Sequence, residues 1–316
     1  LRVVAPAAVH PDLLAGPQGY DDVGAIRLHN GQIGLHTVDF FPPVVDDARA
    51  YGAIAAANSL SDIYASGGEA KVVLNLAGFP KDWGNDILTP IFEAAVEKVQ
   101  EAGALWVGGH SVVSEEPLYG FAIYGEVSEE ELATNDGARP GDLLFLTKPV
   151  GVGSVNTAVK RDIADAADVE VAVAGMARLN KRGAAAMREV KAKAATDITG
   201  FGLLGHAANL ARASEVVLHL ESANIPLYPG AAKLAQQGIF SGAAGRGREN
   251  LGAFVSFGDN TPEWLANLAF DAETSGGLLV CVPPEKAKDF LDAIPDDEPI
   301  AQVGEVREGK AGVVLA

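Results

Sequence analysis

The stretch Ala48-Arg49-Ala50-Tyr51-Gly52-Ala53-Ile54-Ala55-Ala56-Ala57-Asn58-Ser59-Leu60-Ser61-Asp62-Ile63-Tyr64-Ala65-Ser66 decides how this chain folds. At 100° per residue, Tyr51, Ile54, Ala55, Asn58 and Asp62 share one stripe of a helix, and Ala53, Ala57, Leu60 and Tyr64 line the opposite side. A helix apolar on both sides is buried between layers. Asp46 or Asp47 is placed to cap it, and Gly67-Gly68 to stop it. Asn58 and Asp62 then sit inside a packed layer, with Asp62 close to the negative C-terminal end of the helix. A carboxylate there is costly unless an Arg or Lys from elsewhere in the fold, or a metal ion, compensates it.

Working outward, residues 11–22 read as loop, and 23–28 and 32–41 alternate as strands around Asn30-Gly31. After the helix, 71–77 reads as a strand. Thr89-Pro90 opens a second helix that Gly103 closes, and 104–107 is a strand running into Gly108-Gly109. Residues 119–127 form another strand. Asn135-Asp136-Gly137 followed by Pro140-Gly141 marks a boundary between domains 1–138 and 139–316. Beyond it come a strand at 143–147, helical stretches over 154–189 and a helix at 201–213. The tail adds a strand at 278–282, a helix at 285–293, and strands near 300–306 and 312–315. Strands and helices interleave in both halves, so the fold class is α/β, in an α+β layered arrangement.

Composition narrows the function. The 316 residues suit two domains, and 48% hydrophobic with 21% charged residues is the profile of a folded protein. Lys plus Arg is 24 and Asp plus Glu is 42, so the formal charge is 24 − 42 = −18. Such a surface repels phosphate backbones and anionic membranes, so neither nucleic acid nor membrane is an expected partner. An anionic substrate then needs a metal ion, a lysine or backbone N–H groups to receive it. The single cysteine excludes a disulfide framework and a Cys-based zinc site, and Cys281, in Leu278-Leu279-Val280-Cys281-Val282, reads as a small buried hydrophobe. No apolar run approaches the ~20 residues that span a bilayer, and no signal peptide is read at the start, so a cytoplasmic protein is expected.

Three further carboxylate positions flank strands: Asp21-Asp22 before 23–28, Asp39 after 32–38 and Asp197 after 191–196. Any one of them is an ordinary turn or cap residue. Together with Asp62 they form a hard-oxygen set without histidine or cysteine neighbours, which suits Mg²⁺ bridging carboxylates to substrate phosphates. Val107-Gly108-Gly109-His110-Ser111 reads as a turn whose N–H groups and Ser111 hydroxyl face an anion. Thr196-Asp197-Ile198-Thr199-Gly200-Phe201-Gly202 precedes a helix that Thr199 can cap, with its N-terminus open to a phosphate oxygen. No G-x-x-x-x-G-K-[ST] sequence occurs, which excludes an ordinary P-loop. The histidines other than His110 form no metal-ligand spacing, and Thr274-Ser275-Gly276-Gly277 reads as a tight turn.

Taken together these motifs resemble the selenophosphate synthetases (selenide, water dikinases). The matching stretches are Asp21-Asp22, His36-Thr37-Val38-Asp39-Phe40-Phe41-Pro42-Pro43-Val44-Val45-Asp46-Asp47, the segment from Ala55 to Gly68, and Gly108-Gly109-His110-Ser111. Leu146-Thr147-Lys148-Pro149, Thr196-Asp197-Ile198-Thr199-Gly200-Phe201-Gly202-Leu203-Leu204-Gly205-His206 and Thr274-Ser275-Gly276-Gly277-Leu278-Leu279 complete the series. The resemblance implies a two-domain aminoimidazole ribonucleotide synthetase-like fold: 1–138 binding ATP and pairing as a homodimer through its sheet, and 139–316 as a C-terminal α/β domain. It implies synthesis of selenophosphate from ATP, selenide and water, with release of AMP and orthophosphate and several Mg²⁺ ions on the triphosphate. By matching position, Asp22, Asp62 and Asp197 are expected as magnesium ligands. Gly19, Tyr20, Asp21, Asp39, Asp62, Gly109, His110 and Ser111 are expected as nucleotide contacts.

The family's Cys or selenocysteine, with a Lys three residues later, falls before Leu1, so no catalytic residue of that kind is expected within this chain. The family's Thr/Arg/Asn stretch is kept only loosely, as Arg246-Gly247-Arg248-Glu249-Asn250. The alternatives are a thiamine-phosphate kinase or hydrogenase-maturation relative, against which Asp39-Phe40-Phe41-Pro42-Pro43 argues, and a nucleotide-binding paralogue without selenide chemistry.

Overall fold

Two sheets backed by helices account for the described residues, 10–16 and 19–316 of this computed structural model. The first half contributes β1 (Leu13–Ala15), β2 (Gly24–Arg27), β3 (Gln32–Phe41), α1 (Ala48–Ala65), β4 (Glu69–Phe79), α2 (Asn85–Ala102), β5 (Leu105–Val113) and β6 (Leu118–Ser128). These strands lie in the order β1-β2-β3-β6-β4-β5. All neighbours are antiparallel except β4 and β5, whose parallel pairing needs the crossover that α2 supplies.

The second half begins with β7 (Leu143–Leu146), α3 (Val152–Val159), α4 (Ala166–Ala177), α5 (Lys181–Val190), β8 (Ala194–Asp197), α6 (Gly202–Ser214) and β9 (Val217–Leu220). It continues with α7 (Ala231–Gln236), α8 (Gly242–Leu251), β10 (Val255–Phe257), α9 (Glu263–Leu268), β11 (Leu278–Val282), α10 (Ala287–Asp292), β12 (Ala301–Arg307) and β13 (Gly312–Leu315). Its sheet runs β10-β13-β9-β12-β7-β11-β8. Among the described residues no helix is long and apolar enough to cross a membrane.

α1 is the joint between the halves. Asp47 caps it by accepting from the Ala50 N–H at 2.6 Å, and Gly67, at φ +74°, turns the chain after Ser66. Ile54 packs in the core of the second half, whereas Ala55, Leu60 and Ile63 pack in that of the first. This is the two-sided burial that the apolar residues on opposite faces of the helix require. Gly52 lets α2 approach closely, since a Cβ there would lie 2.0 Å from the Ile91 carbonyl oxygen.

Several elements depart from the sequence reading. The stretch 11–22 is not all loop, because it contains β1, which pairs with β2 beyond it. α2 starts at Asn85, so Pro90 sits within the helix; burial of Ile91, Ala94, Ala95 and Val99 holds the helix together despite the missing N–H. β5 does not end at Gly108. Gly108 and Gly109 take φ +150° and +155°, conformations open to glycine, and the strand runs on to Val113. Asp39 lies inside β3 instead of after it. Thr199 does not cap α6, whose N-cap, Phe201, makes no side-chain cap bond. Cys281 is buried in β11, as its apolar neighbours require, and burial pushes its thiol well up.

Candidate metal and nucleotide site

Five elements converge on one group of carboxylates. The turn before β2 brings Asp21 and Asp22, β3 brings Thr37 and Asp39, and α1 brings Asn58 and Asp62. β8 ends at Asp197, and α6 supplies His206 from its buried face. Asp22, Asp197 and His206 each place a ligand-capable atom within 4.8 Å of the others. The Thr37 hydroxyl donates to the Asp62 carboxylate and the Asn58 amide donates to that of Asp39. Thr196 Oγ1 donates to Asp22 Oδ1 at 3.2 Å, and the Asn135 N–H donates to Asp21 Oδ1 at 2.9 Å.

The electrostatics are those of crowded, desolvated anions. Burial first, then Asp197 and Asp21, push the Asp22 carboxyl well above the usual carboxylate range. Burial, Asp197, Asp22 and Asp39 do the same to Asp62. Asp197 is pushed up to about 6, mainly by burial. Burial also raises Asp39 and Asp21. Among the described residues no Arg or Lys nitrogen lies within 4.0 Å of any of these five carboxylates. Of the two ways to compensate Asp62, the basic side chain is therefore missing. Asp197 Oδ2 is buried without a hydrogen-bond partner. An orphaned carboxylate oxygen among further carboxylates fits a hard divalent cation.

His206 was not singled out by spacing. Burial pushes it down to about 4, so the ring is neutral at neutral pH. Its Nε2 accepts from the Thr199 N–H at 3.2 Å, and its Nδ1 lies 3.4 Å from Thr196 Oγ1. It thus ties the loop after Asp197 to α6. The available signal was a lone polar side chain among Leu203, Leu204 and Ala207 on a buried helix face.

The structure does not bring Gly109, His110 and Ser111 to these carboxylates. Asp39 pairs with Phe121, Phe121 with Asn75, and Asn75 with Gly109. Those three strand spacings place β5, an edge strand, about 14 Å from β3. The segment is exposed, and a Cβ on Gly109 would lie 1.9 Å from Asn75 Oδ1. On the second-half side, a cavity of about 340 Å³ is lined by Tyr20, Phe201, Arg212, Arg246 and Asn250 among others. Arg248 does not line it; its guanidinium is taken by Glu263 and by Asn267.

Residues 20–127 match the family model described as AIR synthase related protein, N-terminal domain, and residues 139–316 match its C-terminal counterpart. The selenide, water dikinase of Caldanaerobacter subterraneus subsp. tengcongensis is 44% identical over 279 residues, 88% of this chain and 80% of that protein. The selenide, water dikinase of Desulfitobacterium hafniense is 43% identical over 302 residues, 95% of this chain and 88% of that protein. In fold, this chain is similar to thiamine monophosphate kinase from Aquifex aeolicus, with a TM-score of 0.70 at 21% identity over 93% of this chain and 90% of that one.

Proposed function

This chain belongs to the selenide, water dikinase family and carries the two-domain α/β fold of AIR synthase-related proteins, and on that premise we propose how its residues share the work. The enzyme makes selenophosphate from ATP, selenide and water, releasing AMP and orthophosphate. We assign Asp22, Asp62 and Asp197 as the ligands of Mg²⁺. The observation that carries this is a cluster of half-buried carboxylates around the buried Asp197, with no Arg or Lys nitrogen within 4.0 Å among the described residues and one orphaned carboxylate oxygen.

Bound Mg²⁺ supplies charge neutralisation and in-line positioning for the triphosphate. The chain's own residues hold and orient. Thr37 and Thr196 aim the Asp62 and Asp22 carboxylates, and Asn58 aims Asp39 toward the nucleotide. Gly19, Tyr20 and Asp21 line the same side, with Asn135 fixing the Tyr20 carbonyl at 2.7 Å.

Gly109, His110 and Ser111 then act from a second copy of the chain, in a homodimer. Their distance from Asp39 within one chain supports this, as does an apolar sheet face turned away from α1. On that face Val38, Phe40, Leu74 and Val112 are 58%, 50%, 42% and 54% exposed. The reading further places the domain division at 138/139 and the enzyme in the cytoplasm, with selenide as the second substrate.

An anaerobic ³¹P NMR time course on the full gene product with Mg²⁺, ATP and selenide tests the reading. AMP, orthophosphate and a new selenophosphate resonance are expected. ADP formation, or no turnover despite ATP binding, would move the chain to a kinase relative or a nucleotide-binding paralogue.

A further inference from the structure

Lys148, in the segment after β7, is only 2% exposed, and no carboxylate lies within 4.0 Å of it among the described residues. Its Nζ donates to two backbone carbonyls, those of Arg178 and Ser275, both at 2.7 Å. A buried ammonium with neutral partners is expensive, and a methionine or leucine would fill the volume at lower cost. Burial accordingly pushes it down to about 7.

The turn it grips is under tension. Ser275 sits at φ +51°, a left-handed conformation that side chains rarely take, and a Cβ on Gly277 would lie 2.4 Å from the backbone nitrogen of Lys148.

Two polar chains leave this turn and cross α1. In one, the Ser275 N–H donates to Asn58 Oδ1 at 2.9 Å, and the Asn58 amide donates to Asp39. In the other, Asn180 Nδ2 donates to the Gly276 carbonyl and to Ser61 Oγ, both at 2.8 Å. The Gly277 carbonyl of the same turn accepts from the Ile198 N–H at 2.9 Å, which fixes the backbone next to Asp197. One turn therefore braces a carboxylate of each half.

We propose that Lys148 is a positioning residue: by holding the 274–277 turn in its strained conformation, it sets the separation of the carboxylates contributed by the two halves. This rests on the divalent-ion reading above. The polar chains, and not direct contact, carry the effect.

Mn²⁺ binding, followed by EPR without nucleotide or selenide, tests it in the full protein. Lys148→Met is expected to weaken Mn²⁺ binding about tenfold or more while near-UV circular dichroism is kept. A purely electrostatic role gives the opposite sign, because removing nearby positive charge favours a cation. Tighter or unchanged binding therefore overturns the proposal. Asn180→Ala removes no charge, cuts the second chain, and should also weaken binding. It carries the test alone if Lys148→Met does not fold, and unchanged affinity there overturns the proposal too. Phe290→Leu, in the separate core that packs on α5 and β11, should lower Tm without moving Mn²⁺ affinity; a loss of affinity equal to that of Lys148→Met would reduce the effect to general destabilisation. If the unmodified protein binds no Mn²⁺, the metal reading falls and takes this proposal with it. If it binds and the variants match it, only the positioning role falls.

Discussion

The carboxylate cluster and the β5 edge carry the same kind of sequence signal, short runs of Asp, Gly and polar residues beside strands, yet their surroundings are opposite. Asp22, Asp62 and Asp197 come from separate elements and meet in one space, where burial and the Asp197 carboxylate raise the proton affinity of both Asp22 and Asp62. Gly109, His110 and Ser111 stay in one extended strand, exposed at the end of the sheet. Burying like charges together has a large unfavourable energy that a cation can offset, so the first region states its need within one chain. An exposed edge strand carries no such internal cost. Its role depends on what lies against it.

The largest expected effect separates the two regions. Asp62→Asn should abolish Mg²⁺-dependent ATP binding in calorimetry and leave Tm equal or higher, since it relieves repulsion from Asp197, Asp22 and Asp39. Unchanged affinity would sink its role as a ligand. Phe40→Glu, on the exposed sheet face, should shift sedimentation from dimer to monomer and weaken ATP binding, while Mn²⁺ binding without nucleotide persists. A variant that stays dimeric would show that this sheet face does not hold the dimer.

A smaller effect concerns pH. Asp197 has a raised folded pKa of about 6 against an ordinary 3.8, so between these values the folded state holds more protons than the unfolded one. Stability of the metal-free protein from this group is therefore fullest below 3.8 and is lost as pH rises through 6. His206 acts oppositely: its folded pKa of about 4, against 6.5, makes the fold lose stability as pH falls between the two. Because protons compete with Mg²⁺ for the carboxylates, the gain in Tm on adding Mg²⁺ should be larger at pH 7.5 than at pH 5.5. Equal gains would detach the cluster from the metal. Cys281→Ser, buried within β11, should leave turnover intact with a modest loss of Tm. An inactive variant that still binds ATP would overturn its reading as core.

The helix from Ala48 to Ala65 was legible because its determinants are local: Asp47 at the cap, Gly67 after the end, and apolar residues on both faces. Asp62 was legible because a carboxylate on such a helix has no inexpensive place to go. Pro90 misled because propensity placed it at a helix start, whereas packing of Ile91, Ala95 and Val99 carried the helix through it. The Gly108-Gly109 pair misled because glycine serves a turn and an unusual strand conformation equally well. His206 and Lys148 stayed hidden because their partners, Thr196 and Thr199 for one and Arg178 and Ser275 for the other, are set by packing between elements.

By itself the sequence determined the layered α/β class, the buried helix at the joint, the family and the acidic residue types that favour a divalent ion. These follow from periodicity, caps and residue chemistry, which act over a few neighbouring positions. Only the tertiary structure decided which carboxylates share one space, that no Arg or Lys nitrogen lies within 4.0 Å of them among the described residues, and that β5 stands three strands away from Asp39. Those facts are distances and dielectric surroundings between segments far apart in the chain, and they exist only once the two sheets have closed on α1.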